Sequence, residues 1–224
     1  MVAIVAAVTV LSGCGQHRDE HRPAAEAPRR VTTNPSTFPL FRPSEIIAVK
    51  ALDSGPMVAA FRKNDPHDRS DNYRGSEVVV ATGASLAELR AWLRKLQAES
   101  PQGLRYSHTD TIASGDPEAM RANGAAAASF QSPHGDRIVV VFAVDPRMLR
   151  EKLGSALDLV DKYDKVPGML RGPLDDTMKQ QIGYSISEML DATSPVGVAF
   201  HALKSAEASN KRAIVLIDEK RVAE

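Results

Sequence analysis

Apolar residues along this chain fall into short runs and stripes whose spacing separates strands from helices. The pattern becomes regular from Ser44 onward. Glu45 to Leu52 and Met57 to Lys63, joined by Asp53-Ser54-Gly55-Pro56, predict two strands in a hairpin. After a polar loop from Asn64 to Ser76, Val78 to Ala81 is a continuous apolar run of strand length. Ser85, with Glu88 three residues on, predicts a capped helix whose Leu86, Leu89, Trp92, Leu93 and Leu96 form one stripe. Gly103 to Asp110 alternates Leu104, Tyr106 and His108 with polar neighbours, as a half-exposed strand does. Ile138 to Val144 is the strongest strand pattern of all.

Three helix starts share one chemistry. Asp116-Pro117, Asp145-Pro146 and Ser194-Pro195 each place a capping acceptor before a proline at the first helical position. The helix from Pro146 carries Leu149, Leu153, Leu157 and Val160. One from Pro173 carries Leu174, Met178, Ile182, Ile186 and Met189, and one from Pro195 carries Val196, Ala199, Leu203 and Ala206. Ala213 to Ile217 predicts a last buried strand. This order predicts an α+β fold: a ferredoxin-like βαββαβ sheet with helices on one face, an added N-terminal hairpin and extra C-terminal helices. The alternative is an α/β parallel sheet, which requires a full helix over Pro117 to Phe130. Gly124 and the run Ala125 to Ala128 leave that helix few large side chains to bury, which favours α+β.

The chain before Ser44 has another character. Met1 to Gly13 holds no charged side chain, suits the apolar core of a signal peptide and is too short to span a bilayer. Leu11-Ser12-Gly13-Cys14 follows directly, and it resembles the lipobox of bacterial lipoproteins. That resemblance implies cleavage before Cys14, lipid attachment to its thiol and acylation of the new amino terminus. It places the protein in the cell membrane or outer membrane, its domain facing periplasm or exterior. Gly15 follows the cysteine and is not Asp, which by the same resemblance favours the outer membrane of a Gram-negative cell. Gly15 to Pro43, with five Arg and five Pro but few large apolar residues, reads as a flexible tether. The expected division is therefore 1–13 signal peptide, 14–43 lipidated cysteine and tether, 44–224 globular domain.

Charge and composition narrow the chemistry. The 28 Lys plus Arg balance 28 Asp plus Glu, so no basic field marks a nucleic-acid partner. A single cysteine allows neither an internal disulfide nor a thiolate-rich metal site. No Walker loop, dinucleotide glycine fingerprint or HExxH motif is present, and no cofactor is expected. Gly83-Ala84-Ser85-Leu86-Ala87 lies where the nucleophile elbow of α/β-hydrolases would be, with Ala87 in place of the last glycine. Chain order permits a triad of Ser85, Asp145 or Asp158, and His201, the alternative reading of the protein as a serine hydrolase.

Other groups carry weaker signals. His108-Thr109-Asp110 resembles part of the peptidoglycan-binding OmpA-like domain, without the helix pattern that should follow. Asp110, Asp145 and Asp218 each follow an apolar strand. A parallel sheet would gather all three for metal or phosphate chemistry, whereas the antiparallel one sets Asp145 and Asp218 at one edge and Asp110 at the other. His17 and His21 lie in the tether without a third ligand, and Asp68, Ser70 and Asn72 begin a calcium-loop spacing that Tyr73 interrupts. His134, between Pro133 and Gly135, reads as a turn residue. The expected class is a non-catalytic binding module, joined to the membrane through Cys14 and to a protein partner in the envelope. An assembly factor and an immunity-type inhibitor both fit that class.

Overall fold

Runs of valine and isoleucine that are apolar on both sides of a strand require cover on both faces of a sheet. The computed structural model describes residues 35–55, 57–58, 70–106, 125–182, 185–191 and 195–222, with the backbone alone at 70, 125, 148–149, 152–157, 181–182 and 195–199. The strands are β1 (Glu45–Leu52), β2 (Tyr73–Thr82), β3 (Arg105–Tyr106), β4 (Ala125–Gln131), β5 (Arg137–Val144) and β6 (Arg212–Arg221). The helices are α1 (Leu86–Glu99), α2 (Pro146–Lys162), α3 (Gly168–Ile182), α4 (Ile186–Leu190) and α5 (Pro195–Ala208).

Together they form an α+β fold around a six-stranded sheet of order β1-β2-β6-β5-β4-β3, antiparallel at every pairing. The parallel alternative is thereby overturned, and so is the ferredoxin-like arrangement. In that arrangement the strands corresponding to β2 and β5 would lie side by side and parallel. Here β6 enters between them and pairs antiparallel with both. The reason lies in β6 itself: Ala213 to Ile217 are all buried, and only a central position covers them on every side.

Helices occupy both faces rather than one. Val78, Val80, Val139, Val141, Ile214 and Leu216 meet Leu89, Leu93 and Leu96 of α1 on the first face. Val79, Val140, Phe142, Val215 and Ile217 meet the second, where α2 to α5 contribute Val160, Met178, Ile186, Met189 and Leu203. The alternation of β2, β5 and β6 between these clusters is the period of two of an extended chain.

The expected N-terminal hairpin is not seen among the described residues, and 59–63 of its second strand lie outside them. Met57 and Val58 are helical and buried, and the partner of β1 is β2, which begins at Tyr73 inside the expected polar loop. Gly55 makes this turn possible, because a Cβ there would lie 2.8 Å from Cβ of Tyr73 and 2.9 Å from a carboxylate oxygen of Glu219. β4 replaces the conditional helix over Ala125 to Phe130, since pairing with β5 from Ala125 opposite Val144 to Gln131 opposite Ile138 overrides the helical preference of alanine. Of the expected half-exposed strand, Arg105 and Tyr106 are strand and Gly103 and Leu104 are not, while 107–110 lie outside the described residues. Pro173 lies inside α3, which starts earlier, at Gly168. The apolar stripe expected to continue through Ile186 is instead split, and Ser185 caps the separate α4 through a reciprocal pair of bonds with Glu188.

Residues before Ser44 also pack against the sheet and α1. Phe38 is 1% exposed, and its ring centroid lies 5.1 Å from that of Phe130. Phe41 packs edge-on against Trp92 at 5.6 Å, and the hydroxyl of Ser36 donates to Asp218. Residues 36–41 thus cover the α1 face, because two aromatic rings bury more apolar area than a short polar tether could leave in water.

Candidate functional site

The antiparallel pairing of β5 and β6 puts Val144 opposite Ala213 and Arg137 opposite Lys220. Asp145 and Asp218 therefore stand at opposite ends of the sheet, not at a shared edge. Asp110 and Asp116 lie outside the described residues, as do His17, His21, Asp68, His108, and the segment Leu11, Ser12, Gly13 and Cys14.

At the Asp145 end the carboxylate and the helix caps are engaged by neighbouring groups. Asp145 caps α2 by accepting from the amide of Arg147 at 3.1 Å, and the Arg147 guanidinium donates to both carboxylate oxygens at 3.1 and 2.9 Å. These bonds hold Asp145 below the usual carboxylate range. Arg212 completes the end, with Nε 3.3 Å from Asp145 and Nη1 donating to the carbonyl of Ala84 at 3.1 Å. Ser85 caps α1: its Oγ accepts from the amide of Glu88 at 3.2 Å and donates to the Glu88 carboxylate at 2.7 Å.

The three residues of the expected triad are not assembled. Arg212 brings Ser85 and Asp145 to one end of the sheet. His201 lies on α5, which packs on the face opposite α1, and its Nε2 is 3.3 Å from the carbonyl of Leu190. Asp158 is exposed on α2. His134 sits in the β4–β5 turn as expected, exposed, beside Gly135 at φ 72°.

The other end is where burial and charge conflict. On the α1 face, Asp218 accepts from Arg137 Nε at 2.8 Å and Nη2 at 2.7 Å, besides the Ser36 hydroxyl. Arg137 Nη1 donates onward to Gln102 at 2.7 Å, so this carboxylate is fully engaged. On the opposite face Glu219 is wholly buried and accepts the amide hydrogens of Met57 at 2.7 Å and Val58 at 3.0 Å. Burial pushes its carboxyl up to about 8 against the pull of those two bonds, and the charge of Asp218 adds to the rise. β2 approaches closely here, for a Cβ on Gly75 would lie 2.2 Å from the Asp218 carbonyl oxygen.

Two residues along β2, on the same face as Glu219, stands Glu77. It is 0% exposed, and neither carboxyl oxygen has a hydrogen-bond partner among the described residues. Burial pushes it up to about 8, while Lys50, its register partner on β1, pulls the other way. Glu77 and Glu219 therefore hold their protons at neutral pH. Chemically they are two neutral carboxylic acids facing apolar core, able to donate a proton or a hydrogen bond. No group of three His, Cys, Asp or Glu side chains among the described residues converges to hold a metal ion.

An open depression of about 310 Å³ lies elsewhere, between α2 and α5, with Phe200 and Leu203 in its lining. The charged groups around it pair with one another: Arg150 Nη2 donates to Glu207 at 3.1 Å, and Lys204 bonds Asp161. Glu77, Glu219 and Arg137 were invisible to spacing arguments, which attach to known motifs. The available signal is an acid abutting an apolar strand run, at Glu77-Val78 and Ile217-Asp218-Glu219, and of these only Asp218 was picked out.

Comparison with known families, curated proteins and solved structures finds no match to this chain. No helix among the described residues is long and apolar enough to cross a membrane.

Proposed function

We propose that this chain is a lipid-anchored protein of the bacterial cell envelope whose α+β domain binds a protein partner and performs no chemistry. The observation that carries the reading is Leu11-Ser12-Gly13-Cys14, with the only cysteine of the protein at the position a lipobox requires. The separation of Ser85, which caps α1, from His201 on the opposite face of the sheet supports the second half, since a serine nucleophile needs a base beside it. An envelope assembly factor or an immunity-type inhibitor is the role proposed for the domain, at the cell membrane or outer membrane. Radiolabelled palmitate tests the anchor: the native chain takes up label and Cys14→Ser does not. Equal labelling of the two would remove it. Pull-down from envelope extracts tests the partner, with a specific protein retained by the native chain as the expected result.

A further inference from the structure

β1 ends the sheet, and among the described residues it pairs only with β2. Its other edge is apolar at the centre, where Ile46, Ile47, Ala48 and Val49 are all half-buried. Such an edge is a template for another strand unless something deters it. A lysine and a bulge are common deterrents, and β1 has both, at Lys50 and where the register shifts between Ile46 and Ala48. Their positions decide what they do.

The bulge inserts Ile47, so that Ile47 and Ala48 both belong to the α2–α5 face, while Ile46 and Val49 belong to the α1 face. Glu45 and Lys50 stand opposite Ala81 and Glu77, which places both on the α2–α5 face. The facing of the strand is therefore the same read in either direction from its middle. A second copy laid antiparallel, about a twofold axis between Ile47 and Ala48, sets Glu45 against Lys50, Ile46 against Val49 and Ile47 against Ala48. Each pair then shares one face. Without the inserted residue the same alignment would oppose residues of unlike faces.

Charge selects this register. Along the edge the signs alternate, from Arg42 just before the strand through Glu45 and Lys50 to Asp53 just after it. Reversing the order exchanges every sign, so an antiparallel copy meets opposite charges throughout. Sliding it to bring Glu45 onto Glu45, or Lys50 onto Lys50, opposes like ones. Within one chain Lys211 reaches a single carboxylate oxygen of Glu45, at 3.0 Å, which leaves the other oxygen to a second cation. Glu77, the register partner of Lys50, holds its proton and so supplies no counter-charge.

We propose that β1 is a self-association edge: two copies of this chain pair antiparallel through it, Glu45 of each against Lys50 of the other, and join their sheets into one. The pairing goes beyond the anchored reading and does not need it, so its failure leaves the palmitate test untouched.

Light and heavy isotopic preparations of the full chain are mixed in mild detergent with a reductant and treated with a carbodiimide, which joins a carboxylate to an amine in contact. A Glu45–Lys50 link between light and heavy peptides is expected, while the Glu45–Lys211 link stays within one label. In sedimentation equilibrium Lys50→Glu and Glu45→Lys should each dissociate about tenfold more readily, and their equimolar mixture should recover the dimer, because opposite charges again meet at both contacts. If Lys50→Glu fails to fold, the link in the native chain decides. A native chain that stays monomeric, a Glu45–Lys50 link confined to one label, or a dimer indifferent to both reversals would overturn the proposal.

Discussion

At one end of the sheet the chain solves the same problem in two ways on its two faces. On the α1 face the buried carboxyl of Asp218 is met at both of its oxygens by Arg137. One residue on, across the sheet, Glu219 accepts from two backbone amides, and Glu77 beside it has no hydrogen-bond partner among the described residues. A paired buried charge needs its partner; a solitary buried acid avoids the cost of charge by keeping its proton. The first arrangement is sensitive to mutation and the second to pH.

The largest expected effect comes from removing what builds the α1 face. A chain beginning at Ser44 lacks Phe38 and Ser36, and Phe38→Ala alone is expected to lose about 3–5 kcal/mol, read from urea unfolding of the full chain. Unchanged stability in either would show that residues 36–41 lie on the domain without supporting it. Arg137→Ala leaves Asp218 buried without its cation and should also cost about 3–5 kcal/mol, while a matched loss of both partners costs less.

The opposite face sharpens the comparison through pH. Glu77 and Glu219 bind protons up to about pH 8 when folded and release them near 4.5 when unfolded. Their contribution is therefore complete below about pH 4.5, falls as pH rises through that window, and is lost above about 8. Glu77→Gln should accordingly raise stability at pH 9 by on the order of 2–4 kcal/mol and leave it nearly unchanged at pH 4. Equal effects at both pH values would mean that Glu77 is charged in the folded protein. The smallest effect belongs to Ser85→Ala, about 1 kcal/mol for a lost helix cap. A fluorophosphonate probe should label neither form; labelling that vanishes in Ser85→Ala would revive the hydrolase.

Local chemistry was readable where local chemistry decides. Ser85 with Glu88, Asp145 before Pro146, and the Ile138 to Val144 run each specify their element within a few residues, and each appears as expected. β4 was not readable because its alanines prefer a helix in isolation, and only β5 alongside makes them a strand. The placement of β6 between β2 and β5 depends on pairings between residues 69 to 148 positions apart, from Val144 opposite Ala213 to Tyr73 opposite Arg221. Glu77 was hidden for a related reason, since a glutamate at the end of an apolar run ordinarily marks the emergence of a strand into water. Here β1 and β6 flank it on both sides and the core continues past it.

The central position of β6 has a temporal consequence. Among the described residues, β1 and β2 on one side of the sheet and β3 to β5 on the other are joined through residues 212–221, the latest of these strands in chain order. No shorter N-terminal stretch can close the hydrogen-bonded sheet, so its completion is a late, long-range event of the kind that slows folding.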